Sequence, residues 1–145
     1  MDLGVYPLAW VRRLLGERFA VEDARREMLG DVDAAFTATL RFDERTTATV
    51  ASSMIVTQPT ASLKLLGELG NIFIRNPLAP QHGHALTVQV NRESRTEHWP
   101  GPSSYEAQLK AVRAALSGER SFPFPQDDFV CSMEALDSVR AAWRA

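Results

Sequence analysis

Between Asp33 and Phe42 the chain alternates with a strict period of two. Phe36, Ala38, Leu40 and Phe42 fall on one side, and Ala35, Thr37, Thr39 and Arg41 on the other. Extended backbone is the conformation that sends successive side chains to opposite faces, so the segment reads as a half-buried strand. Asp43-Glu44-Arg45 is short and polar enough to close a hairpin, and Thr46 to Thr57 resumes the same period. Phe19 to Leu29, which has few breakers and runs into a Gly30-Asp31 turn, reads as a long exposed strand with helix as its competitor.

The rest of the chain is arranged around these strands. Residues 1–16 read as an amphipathic helix with Gly16 as its C-cap. Ala61 to Arg75 reads as a second hairpin, with Gly67 and Gly70 bracketing a turn where glycine supplies positive φ. A proline-punctuated loop from Asn76 to His84 leads into two short strands, at Ala85 to Val90 and Arg95 to Trp99. Ser103 or Ser104 can cap a helix over Tyr105 to Leu116 with Leu109, Val112, Ala115 and Leu116 as its stripe. Asp127 or Asp128 opens a terminal helix whose stripe is Val130, Met133, Leu136, Val139, Ala142 and Trp143. The predicted class is α+β: one mostly antiparallel open sheet of six or seven strands, with helices packed on one face. Residues 1–145 are read as a single domain, long enough to bury a core. The other sheet face would carry Thr37, Thr39, Thr47, Thr49, Ala51 and Ser53. Such small, weakly polar side chains suit water or a second sheet, and both readings stay open.

Composition excludes several classes. A net charge of −2 lacks the basic surplus of a general nucleic-acid binder. No run approaches the ~18 apolar residues of a membrane helix. Cys131 is the sole cysteine, so an intrachain disulfide or a cysteine-based zinc site cannot form. A reducing cytoplasm is the expected compartment.

Asp2 and Tyr6 are four positions apart, so a continuous helix places a carboxylate and a phenol on one face. A free phenol has a pKa of about 10, and a nearby carboxylate disfavours its ionisation. Proton transfer at Tyr6 therefore calls for a third, positive group. The plainer reading is an aspartate N-cap followed by a tyrosine at the helix rim. His82 and His84 flank Gly83 without a neighbouring acid or cysteine to complete a metal site, and read as loop residues or substrate contacts. His98 reads as structural. Neither a G-x-G-x-x-G nor a P-loop pattern occurs.

The motifs in their order resemble a known family. Asp2-Leu-Gly-Val-Tyr6-Pro…Arg13-Leu-Leu-Gly16 is similar to the D-x-G-x-[YH]…R-x-L-x-G helix of the glucose–fructose oxidoreductase, inositol dehydrogenase and rhizopine-catabolism (Gfo/Idh/MocA) family, in its tyrosine-type branch of dihydrodiol and sugar dehydrogenases. Asp33-x-x-Phe36…Leu40-Arg-Phe42 resembles a second motif, and Leu63 to Ile74 with its two glycines a third, followed by N-P-x-x-P. Tyr105-x-x-Gln108-Leu and the segment from Asp127 to Ala145 resemble the family's closing helices. The resemblance implies the substrate and oligomerisation domain of an NAD- or NADP-dependent oxidoreductase, with the N-terminal Rossmann domain absent from this chain. It further implies Tyr6 as proton donor or acceptor, Asp2 as the group that orients it, and a lysine of the missing half as the cation. A sugar-like, polyol or dihydrodiol substrate, a homo-oligomer through the open sheet face and no catalysis by this chain alone follow in the same way. Two other readings are retained. One is a stand-alone, non-catalytic dimeric binding or assembly module. The other is a nucleotide-free pocket enzyme pairing His82 or His84 with Asp128.

Overall fold

The computed structural model describes residues 3–98, 100–124 and 127–143. Two compact units are present: Met1–Thr57 with Phe124–Ala145, and Gln58–Pro123.

The first unit is a helix-backed, three-stranded antiparallel sheet. α1 (Val5–Leu15) starts at Gly4 without a side-chain cap, and Pro7 sits in its first turn, where a missing N–H costs nothing. It stops where Gly16 turns to φ 108 and donates its N–H to the Arg12 carbonyl. β1 (Ala20–Leu29) and β2 (Val32–Arg41) pair around a turn in which Gly30 takes φ 61, and β2 pairs onward with β3 (Thr47–Ser53). Register sets Ala24 opposite Ala38 and Ala38 opposite Val50, so the inward side chains stack in rows. α3 (Asp127–Ala141) carries two acids in its first turn, where the helix dipole favours them.

The core joins Leu8 and Val11 of α1, Ala24, Phe36, Ala38, Leu40 and Val50 of the sheet, and Leu136 and Val139 of α3. Leu8, Leu40 and Val139 lose essentially all their exposure, each contributing roughly 1.5–3 kcal/mol of burial. The inward set expected from the alternation is therefore in place, with Phe42 packed against it. On α3 the buried row is Ser132, Ala135, Leu136 and Val139, whereas Val130 and Met133, expected in the stripe, face solvent. A row spaced three and four apart is satisfied by either register, and Ser132 takes the inward place because it hydrogen-bonds there. On the face away from the helices, Thr37, Thr47, Thr49 and Ala51 are exposed.

The second unit is a four-stranded antiparallel meander, β4 (Ser62–Gly67), β5 (Gly70–Arg75), β6 (Ala85–Val90) and β7 (Glu93–Glu97). α2 (Ser104–Leu116) follows, its first turn capped by the Ser103 hydroxyl, which accepts from the Glu106 N–H at 3.2 Å. Register gathers Leu63, Leu65, Ile72, Ile74, Leu86 and Val88 on one face. α2 has the expected helical span, but Leu109 and Leu116 of its stripe are exposed and none of its residues is buried. The seven strands thus keep the α+β class and the open antiparallel pairing but divide between two sheets, where one had been expected. Residues 54–61, which include Pro59, interrupt the pairing between β3 and β4. Trp99, the expected end of the last strand, lies outside the described residues.

Gly67 and Gly70 do not take the positive φ expected of them. Gly70 is required for another reason: a Cβ there would lie 2.0 Å from the Gln89 carbonyl oxygen of β6.

Candidate functional site

Tyr6 stands in the first turn of α1 and is 45% exposed. Asp2, its expected partner, lies outside the described residues. What fixes Tyr6 is the rest of its helix. Leu8, Val11 and Arg12 form the buried row of α1, and Arg12 is only 2% exposed. Its Nε donates to Glu17 Oε2 at 2.7 Å and its Nη1 to Ser132 Oγ at 2.6 Å. Ser132 Oγ in turn donates to the Asp128 carbonyl at 2.8 Å. The Asp128 carboxylate lies 3.0 Å from Arg13 and 3.6 Å from Arg12. Asp128, weighed as a partner for a histidine, is instead an ion-pair partner of two arginines. α1 is thereby held against α3 by charge and hydrogen bonds as well as by packing, a buried role for Arg12 that sequence reading missed. Its position four after Leu8 and next to Val11, on the buried stripe, was the available signal.

His82 and His84 belong to the second unit. The loop that carries them is closed by hydrogen bonds: Asn76 Nδ2 to the His82 carbonyl at 2.9 Å, His82 N–H to the Ala79 carbonyl at 2.9 Å and His84 N–H to the Pro80 carbonyl at 3.1 Å. Pro80–His82 form one 3-10 turn, and Gly83 leaves it in the left-handed region at φ 94. Asn76 also takes a positive φ, of 50°. Two further side chains reach the backbone of this loop. The Arg75 guanidinium comes within 3.8 Å of where a Cβ on Gly83 would sit, and His98 Nδ1 lies 3.3 Å from the His84 carbonyl. Neither was singled out with His82 and His84, because each is distant from them or separated by the loop in sequence.

Among the described residues no group of three or more His, Cys, Asp or Glu could hold a metal ion, and no helix is long and apolar enough to cross a membrane. The strand pairings are antiparallel throughout, and Gly67-x-x-Gly70 is a tight hairpin with Gly70 packed beneath a carbonyl. The parallel strand–loop–helix crevice of the doubly wound dinucleotide-binding fold does not occur among the described residues.

The fold is shared with solved oxidoreductases. KijD10, a 3-ketoreductase from Actinomadura kijaniata solved with NADP and TDP-benzene, is 21% identical with a TM-score of 0.77, covering 99% of this chain and 45% of its own. The aldose-aldose oxidoreductase from Caulobacter crescentus, complexed with glycerol, is 22% identical with a TM-score of 0.80, covering 96% and 43%. A putative oxidoreductase from Thermotoga maritima has a TM-score of 0.73 at 13% identity, with the same coverage of 96% and 43%. The chain thus spans under half the length of the solved proteins it matches, and these likenesses establish the fold. No curated protein matches at a significant level. Residues 1–73 match the profile of the GFO/IDH/MocA C-terminal domain, and with half of its sequence so matched, this chain belongs to the Gfo/Idh/MocA family as a C-terminal domain.

Proposed function

We propose that this chain supplies the substrate side of an NAD- or NADP-dependent oxidoreductase acting on a hydroxyl or carbonyl of a sugar-like or dihydrodiol-like compound. The observation that carries the reading is Tyr6: an exposed phenol in the first turn of a helix anchored by Leu8, Val11 and a buried Arg12. An anchored helix holds a proton donor at a fixed place, which general acid–base chemistry needs. Tyr6 donates its proton to, or takes it from, the substrate oxygen, with Asp2 orienting substrate and phenol. His82 and His84 contact the substrate. Hydride chemistry belongs to a nicotinamide bound by another domain of the complete enzyme, consistent with a chain that corresponds to less than half of its solved relatives.

The test is Tyr6→Phe in a polypeptide joining this chain to a family nucleotide-binding domain. Turnover on a sugar or dihydrodiol panel should fall roughly 10²–10⁴-fold, and an unchanged rate removes Tyr6 from the mechanism.

A second reading rests on the exposed Thr37, Thr47, Thr49 and Ala51 face. A second copy packed there would make the chain a dimeric assembly module, and light scattering on the wild type and Thr49→Glu separates the two states.

A further inference from the structure

The end of α1 that bears Tyr6 has little to hold it locally. The helix begins at Gly4 without a side-chain cap, and no acid stands in its first turn. Its buried row is Leu8, Val11 and Arg12, and at 3.6 residues per turn Tyr6 falls on the opposite side of the helix. A side chain at the rim lies ~5–6 Å from the helix axis, so a rotation of about 10° carries it by about 1 Å. The place of the phenol is therefore sensitive to the rotation of α1.

We propose that Ser132 of α3 is a positioning residue for Tyr6, acting through Arg12 to fix that rotation. The inference rests on the acid–base reading of Tyr6 and deepens it by naming what holds the phenol in place.

Packing at Leu8 and Val11 presses α1 into the core, but apolar contact has no direction and tolerates small rotations. A hydrogen bond does have direction. Arg12 donates Nη1 to Ser132 Oγ at 2.6 Å, in the interior. Its contacts with Glu17 involve the chain just after α1 and do not reach α3. Ser132 has one hydroxyl hydrogen, committed to the Asp128 carbonyl at 2.8 Å, so its oxygen meets the guanidinium as an acceptor. Asp128 supports the same contact from 3.6 Å. Arg13 also reaches Asp128, at 3.0 Å, but its side chain is 42% exposed and water can take its place.

Without the Ser132 hydroxyl, a buried guanidinium N–H loses its acceptor, and that cost is relieved when α1 turns to find another oxygen. The turn displaces Tyr6, and about 1 Å of misplacement at a reacting group is worth up to ~10²-fold in rate.

The sequence has two tyrosines, Tyr6 in the first unit and Tyr105 in the second. The full chain labelled with fluorotyrosine therefore gives two fluorine NMR signals, assigned with Tyr105→Phe. Ser132→Ala should shift or broaden the Tyr6 signal and leave that of Tyr105 unchanged. Ser132→Thr, which keeps the hydroxyl, should leave both in place. Val139→Ala is the packing control: it loosens α3 at a fully buried site, lowers the urea midpoint and leaves the Tyr6 signal where it was. In the polypeptide joined to a nucleotide-binding domain, Ser132→Ala should lower kcat roughly tenfold or more, with KM little changed. On a Tyr6→Phe background the same substitution should cost no more than about twofold, because it acts through the phenol already removed. A Tyr6 signal unmoved by Ser132→Ala, the same displacement from Ser132→Thr or Val139→Ala, or a full loss repeated on the Tyr6→Phe background would each overturn the inference. Fluorine NMR reads position without turnover, so an unchanged rate in Tyr6→Phe alone would remove the acid–base reading as a separate result.

Discussion

Arg12 and Ser132, 120 residues apart, meet inside the first unit through a 2.6 Å hydrogen bond from Nη1 to Oγ. That bond joins the helix carrying Tyr6 to the last helix of the chain. Arg12→Ala should therefore destabilise the fold by about 3 kcal/mol, the usual cost of breaking a buried charged network. Arg12→Met, which keeps most of the volume, should cost clearly less. Urea midpoints of the two variants check this, and equal losses would show that charge, not packing, dominates.

Gly70 is approached more tightly by backbone than Gly16, Gly30, Gly67, Gly83 or Gly118. Gly70→Ala would place Cβ 2.0 Å from the Gln89 carbonyl oxygen and 3.1 Å from Val90 Cγ2. Backbone cannot rotate aside as a side chain can, so β5 and β6 must separate, at a cost of about 1–3 kcal/mol or more. At Gly67 the nearest atom would be 3.6 Å away, and Gly67→Ala should be tolerated. Thermal denaturation of the two variants gives the comparison.

Asn91 and Arg92 form the two-residue turn between β6 and β7, with φ of 49° and 70°. Both central positions of such a turn want positive φ, and asparagine followed by glycine is the preferred pair. Arg92→Gly should stabilise the hairpin by about 1 kcal/mol by removing the left-handed strain. Hydrogen exchange at the β6 and β7 amides should slow accordingly.

The Asp43 carboxylate accepts from the backbone N–H groups of Arg45 and Thr46, each at 2.8 Å. These bonds, the Arg45 N–H first, hold its carboxyl below the usual carboxylate range. A depressed folded value means the group stabilises the fold above its unfolded pKa of about 3.9. That contribution is lost as pH falls through the folded value. Asp43→Ala and the wild type should thus differ in urea midpoint at neutral pH and converge on acidification. A constant difference across the titration would rule out the ionised hydrogen bonds as its origin.

The alternation of Phe36, Ala38 and Leu40 was enough to place all three in the core, because a period of two admits a single inward face. The same kind of reading gave α2 its span and misjudged its stripe. Periodicity reports that a helix is amphipathic and says nothing about whether a neighbour covers it, and Leu109 and Leu116 are exposed. Gly70 was legible as a necessary glycine for the wrong reason, since contact with Gln89 depends on a strand register that sequence does not print. Tyr6 could be singled out by spacing and resemblance. The stripe position of Arg12 marked it as buried, but its role could not be read, because its partners 5 and 120 residues away come to it only in the fold. Arg75 and His98 reach the loop backbone at Gly83 and His84 only through the fold of the loop.

Every fully buried hydrophobic side chain among the described residues belongs to the first unit, and the four-stranded meander has none. Burial of that kind is what ties local openings to global unfolding. The amides of β2 and α3 should then exchange on the timescale of complete denaturation, while β4 to β7 breathe independently and far more often. A single chain would keep two clocks: a slow one under the helix that bears the phenol, and a fast one around the histidines.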